Sequence, residues 1–188
     1  CFAFACEQLT FDTYLHAVDL VDARIEQLER SIREAAEEAS WRELVARLRC
    51  LRGIDTLSAL GLVTEIGDFS RFATAAEFMA FVGLVPSEHS SGERRRQGSI
   101  TKVGNAHVRR LLVEAAWHHR PRYTVGATLR ARWDLAPAAA RARGDEGNRR
   151  LHHRWVKFID RKKRSTTADV AIARELAGWC WSLAVMDD

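Results

Sequence analysis

Between residues 14 and 39, apolar and small side chains recur in alternating steps of four and three, at Tyr14, Val18, Val21, Ile25, Leu28, Ile32, Ala35 and Ala39. A period near 3.5 residues keeps these side chains on one seam of a helix. Sustained for more than three heptads, the seam needs a second helix to cover it, and it predicts a coiled coil. Asp19, Asp22, Arg24, Glu26, Glu29, Arg30, Arg33, Glu34, Glu37 and Glu38 fall on the other faces. The partner is either a second protomer, giving a homo-oligomer, or another helix of the same polypeptide. The small alanines at the end of the seam favour close approach with a weaker hydrophobic drive.

The rest of the chain reads as shorter helices. Residues 41–51 form one stretch, and an apolar run over 54–66 ends at Gly67. Residues 51–67 look like a helix-hairpin-helix, whose turn amides and following helix start can meet a DNA phosphate. Asp55 stands where that turn usually has a second glycine, and a carboxylate repels phosphate, so packing is the favoured role of this turn. Residues 73–83 read as a helix with Thr74 as N-cap three residues before Glu77. Residues 84–103 contain Pro86, Ser87, Ser90, Ser91, Gly92 and Gly98 with little apolar period, and predict a long functional loop or irregular hairpin. Asn105 caps a helix carrying Val108, Leu111, Leu112, Ala115 and Ala116, which ends near Arg120 and Pro121. Residues 126–164 are helical in tendency, with interruptions expected at Pro137 and at 144–147. A closing apolar helix is expected over 167–186. The fold class is mainly α, divided into a coiled-coil linker over 1–49 and a helical domain over 50–188.

Net charge is +4, but it is unevenly placed. Residues 90–164 hold 20 Lys and Arg against 6 Asp and Glu, a block of +14 between flanks of −7 and −3. So one-sided a block repels itself unless a polyanion or an acidic neighbour offsets it, and nucleic acid is the natural partner. Arg161, Lys162, Lys163 and Arg164 fit backbone contact as well as they fit a solvated run. No run of eighteen apolar residues occurs and the first ten residues lack the basic flank and cleavage pattern of a secretory signal, so a cytoplasmic, nucleoid-associated protein with no membrane partner is expected. Cysteines at 1, 6, 50 and 180 have neither a paired-motif nor a disulfide-scaffold spacing. The adjacent pairs His118-His119 and His152-His153 lack the spacing of a helical metal site, so surface or nucleic-acid contact is expected of them. The tryptophans at 117, 133, 155, 179 and 181 sit among apolar neighbours and read as core.

The most distinctive phrase runs over 81–112, FVGLVPSEHSSGERRRQGSITKVGNAHVRRLL. With Gly53-Ile54, EIGDFSRF at 65–72 and ARELAGW at 173–179, it resembles the C-terminal domain of the 110/116/902 family of insertion-sequence transposases over about residues 50–185. The resemblance implies a DNA recombinase in two parts. An N-terminal RNase H-like domain would hold acidic ligands for Mg2+, and a C-terminal domain would carry a nucleophilic serine. A coiled-coil linker joins them, a part that residues 11–49 fit, and a structured RNA encoded by the element guides recombination. The family position immediately before Gly92 selects Ser91 as the nucleophile. The acidic domain is expected upstream of this chain, so no metal ligand or cofactor is assigned within it, and this part alone is not expected to be competent.

The residues themselves agree with phosphoryl transfer. A serine hydroxyl is a poor nucleophile at neutral pH and needs a base, a metal or local positive charge. Arg94, Arg95, Arg96 and Lys102 can neutralise phosphate, the helix beginning at Asn105 aims free amides at the same region, and Arg109 and Arg110 extend the basic face. Composition and spacing alone leave Ser90 and Ser99 as rivals to Ser91. A non-catalytic helix-hairpin-helix DNA- or RNA-binding module, or an inactive transposase remnant, is the alternative to an enzyme.

Overall fold

The computed structural model describes residues 4–88 and 97–187. Its elements are α1 (Ala5–Ala36), α2 (Arg42–Leu48), α3 (Thr56–Ile66), α4 (Ala75–Phe81), β1 (Pro86–Glu88), β2 (Gln97–Ile100), α5 (Ala106–Ala116), α6 (Ala127–Trp133), α7 (Ala138–Asp160) and α8 (Ser165–Ala184). The fold is mainly α, and the two short strands pair antiparallel with a register shift between Pro86 and Glu88.

The heptad region folds as one 32-residue helix, free of glycine and proline. Its seam stands largely in solvent: Val18 is 55% exposed, Val21 57% and Ile25 47%. Only the C-terminal end of α1 packs, with Ile32, Ala35 and Ala36 joining the core beside α3. The helix stops at Ala36, so Ala39 falls in the following turn.

The core gathers around α8, which packs against α4, α5, α7 and α2. Ile172, Leu176, Cys180 and Leu183 are fully buried there, and Leu48, Leu51, Leu62, Phe78, Leu112, Leu151 and Trp155 meet them from the surrounding helices. Each such side chain contributes about 1.5–3 kcal/mol by leaving water. Three tryptophans have their indole N–H groups satisfied by carbonyls inside this packing: Trp133 donates to Cys50 at 3.1 Å, Trp155 to Ala116 at 3.2 Å and Trp181 to Phe72 at 3.2 Å.

One interruption expected from sequence does not occur. α7 runs through residues 144–147 without a break. Its glycines are sites of close approach: a Cβ on Gly144 would lie 2.6 Å from the Cys50 Cβ, and one on Gly147 would lie 2.9 Å from the Trp179 ring. Pro137 does mark a boundary, as the N-cap of α7.

The two adjacent histidine pairs are also not uniformly at the surface. His118 is exposed, but the 3₁₀ turn Trp117–His119 that follows α5 rotates His119 inward, where it is fully buried. Desolvation pushes its pKa down to about 3, so the ring is neutral.

Candidate nucleic-acid interface

Thr74 accepts from the Glu77 amide and starts α4, which ends in a turn at Gly83. The chain then leaves as β1, returns as β2 and re-enters the helical body at Gly104. The base of this hairpin is clasped by backbone: Thr101 N–H donates to Val85 at 2.9 Å and Lys102 N–H to Gly83 at 3.1 Å. Gly104 has φ +84°, and a Cβ there would lie 1.8 Å from the Phe81 carbonyl oxygen. Only glycine fits that combination of left-handed backbone and close contact.

Side chains lock the same base to α3 and α5. Asn105 caps α5 by accepting from the Val108 amide at 3.0 Å, while its own amide donates to Glu65 at 2.7 Å. His107 Nδ1 lies 2.8 Å from the other Glu65 oxygen. Hydrogen bonds from Asn105 and then His107 hold the Glu65 carboxyl below its ordinary range. Arg109 Nη1 donates to Val82 at 3.1 Å and to Val103 at 3.3 Å. Asn105 and Arg109 therefore tie down the hairpin base, Asn105 through both ends of its side-chain amide and Arg109 through one nitrogen.

Lys102 is exposed, with φ +56°. Arg110 is exposed one residue beyond Arg109, with its Nε 3.7 Å from Glu114. Ser99, the rival in β2, is exposed and its carbonyl accepts from the Ser87 hydroxyl at 3.0 Å. Ser91, Ser90, Arg94, Arg95 and Arg96 lie outside the described residues.

Arg161, Lys162, Lys163 and Arg164 form a second patch, all exposed, in the turn from α7 to α8. Lys162 takes φ +52°, and the turn closes through Lys163 N–H to Phe158 at 3.0 Å. Among the described residues, no hydrogen bond or ion pair links this turn to the hairpin base. The structure thus brings together Lys102, Asn105 and Arg109, sets Arg110 beside them, and keeps 161–164 as a separate basic turn.

Asp169, Arg52 and Arg132 have unusual environments and carry no signal in the sequence. Asp169 of α8 is buried, its Oδ1 accepts no hydrogen bond among the described residues, and desolvation pushes its pKa up to about 7. Arg52 and Arg132 are half-buried around the α2–α3 turn. The neighbouring Gly53, with φ +81°, lies against Ala115, and a Cβ there would meet the Ala115 carbonyl oxygen at 2.4 Å. Asp55 caps α3 by accepting from the Ser58 amide at 2.8 Å. Among the described residues, no three His, Cys, Asp or Glu side chains converge to hold a metal ion. No described helix is long and apolar enough to cross a membrane.

These features define a helical domain that clasps a hairpin between α4 and α5 and carries Lys102 and the basic run 161–164 on exposed turns. Residues 45–134 match the Transposase IS116/IS110/IS902 family. It is 37% identical over 174 residues to a Sinorhizobium fredii protein bearing the name "Putative transposase y4qE", covering 93% of this chain and 44% of the relative. It is 28% identical over 158 residues to the transposase for insertion sequence element IS1533 of Leptospira borgpetersenii, covering 84% of this chain and 46% of the relative. The chain spans less than half the length of these relatives.

Proposed function

We propose that the chain is the C-terminal part of a DNA transposase, and that it acts in transposition by attack of Ser91 on a DNA phosphodiester. The family match over 45–134, with Ser91 on the connection whose base α3, α4 and α5 clasp, is the observation that carries this reading. The serine oxygen forms a bond to phosphorus as the deoxyribose oxygen leaves with a proton. The phosphoserine conserves the phosphoester for rejoining to a new strand. Lys102 and Arg94 to Arg96 neutralise the phosphate during this exchange, and Arg110 and 161–164 hold the backbone away from the reacting atoms.

In the complete protein an N-terminal RNase H-like domain supplies acidic ligands for Mg2+, a structured RNA selects the target, and the α1 seam assembles protomers. The described residues offer no cluster of ligands fit for the metal. Residues 1–49 act as the linker and 50–188 as the transposase domain, in a cytoplasmic, nucleoid-associated enzyme.

The test incubates the complete protein with element-end DNA and the flanking transcript, then maps any covalent DNA–protein adduct by peptide mass. An adduct on Ser91 is expected. Strand exchange that proceeds with no protein adduct would overturn the serine mechanism.

A further inference from the structure

Arg52 and Arg132, with Gly53, Asp55, His118 and Thr128, line an open cavity of about 250 Å3 beside the α2–α3 turn. They come from three separated segments of chain, and each of the two arginines donates to one backbone acceptor. Arg52 Nη1 donates to Pro121 at 3.2 Å and Arg132 Nη1 to Ile54 at 3.0 Å. A guanidinium carries five N–H donors, so most of the two forks remain unused. Arg49 adds a third positive charge, close enough to Arg132 to disfavour it. Its Nε is buried and makes no hydrogen bond among the described residues.

The opposing charge is small. Asp55 is the carboxylate of this cavity, and its Oδ1 already accepts from the Ser58 amide at 2.8 Å and hydroxyl at 2.7 Å. Like charges gathered and partly withdrawn from water destabilise one another unless an anion offsets them. At about 250 Å3 the cavity is smaller than the roughly 300 Å3 where small-molecule pockets begin, so it suits an anionic group on a larger body. Paired guanidinium forks match the oxygens of a phosphate. Arg120, Arg122 and Arg130 are exposed on the neighbouring segments, as a polyanion passing over the cavity would require.

We propose that this cavity receives a backbone phosphate of nucleic acid, with Arg52 and Arg132 donating to its non-bridging oxygens. It is a contact additional to the hairpin loop and the 161–164 turn, and it rests on the nucleic-acid reading above. DNA and RNA share the phosphodiester, so both are used as probes.

The test measures binding of the full chain to a labelled 20-base-pair DNA duplex and to an RNA hairpin of equal stem length, between about 50 and 200 mM KCl. The variants are Arg52→Gln with Arg132→Gln, and separately Thr128→Glu, which places a carboxylate at the exposed rim. Loss of one phosphate contact should lower the magnitude of the salt slope by about 0.9 on the DNA duplex, with a fall of the same order on the RNA stem. Affinity should weaken roughly tenfold. Arg24→Gln on α1 serves as a control and should change neither quantity. Effects on DNA alone assign the phosphate to DNA, and effects on RNA alone assign it to RNA. If the double variant fails to fold by thermal melting, Thr128→Glu decides by the same criterion. Wild-type slope and affinity in folded variants would overturn the cavity assignment while leaving the nucleic-acid reading standing. Failure of the wild-type chain to bind either probe would overturn both.

Discussion

The Asn105 amide donates to Glu65 Oε2 at 2.7 Å, tying the start of α5 to the last turn of α3 across 40 residues of sequence. Both strands of the hairpin lie within that interval, so this contact fixes the base of the hairpin. Glu65 also meets His107, and both interactions favour its ionised form. Its folded pKa is lowered from an ordinary 4.5. The contribution is therefore complete above that value and is lost as pH falls through the folded pKa. Glu65→Gln should lower the melting temperature at pH 7, and the gap from wild type should close as the medium is acidified below 4.5. A gap independent of pH would show that charge on Glu65 contributes nothing.

The buried titratable groups give opposite slopes. His119 falls from 6.5 to about 3, so protonation of the unfolded chain destabilises the fold as pH drops between those values. Asp169 rises from 3.8 to about 7, so its contribution is complete below 3.8 and is lost as pH rises to 7. Each slope is at most about 1.4 kcal/mol per pH unit. In the wild type they offset. Denaturant titrations from pH 7 to 4 should show Asp169→Asn losing stability and His119→Leu gaining it. Parallel curves for the two variants would contradict the buried environments described for them.

Periodicity and capping were legible before the structure because their signals are local. The spacing from Tyr14 to Ala35 is contained within one helix, and Thr74 and Asn105 stand within four residues of the amides they cap. Long-range contacts left no such signal. Gly144 and Gly147 look like helix breakers until Cys50, Leu51 and Trp179 are brought against them. Arg109 sits in a basic run and reads as a ligand contact, yet one nitrogen faces Val82, 27 residues away in sequence. Arg52 and Arg132 reach acceptors 69 and 78 residues away, so no window of sequence joins them. His119 was hidden by its exposed neighbour, since adjacent residues point to different faces.

Gly144→Ala pits helix propensity against packing. Alanine gains about 1 kcal/mol in a helix interior, whereas forcing a methyl against Cys50 costs about 1–3 kcal/mol. The net expectation is destabilisation of about 1 kcal/mol by urea unfolding. Stabilisation by the full propensity gain would mean that α7 does not approach Cys50 so closely.

The α1 seam is open to a partner at Val21 and Ile25, while Ile32 already packs in the chain's own core. Val21→Asp with Ile25→Asp should therefore dissociate an assembly and leave the melting of the helical domain unchanged. Burying two unpaired carboxylates in a helical interface costs several kcal/mol at least. Sedimentation of a self-associating wild type beside the variant reads this directly, and an unchanged mass would remove the seam from assembly.

Strand exchange by a Ser91→Ala complete protein, measured beside DNA binding on the same preparation, bears most directly on the proposed chemistry. The substitution removes the attacking oxygen while keeping charge and nearly keeping volume. Binding should persist and exchange should vanish, whereas Ser90→Ala and Ser99→Ala should each retain exchange to within about 1 kcal/mol of activation free energy. Exchange at the wild-type rate by Ser91→Ala would contradict the assignment of this serine as the nucleophile.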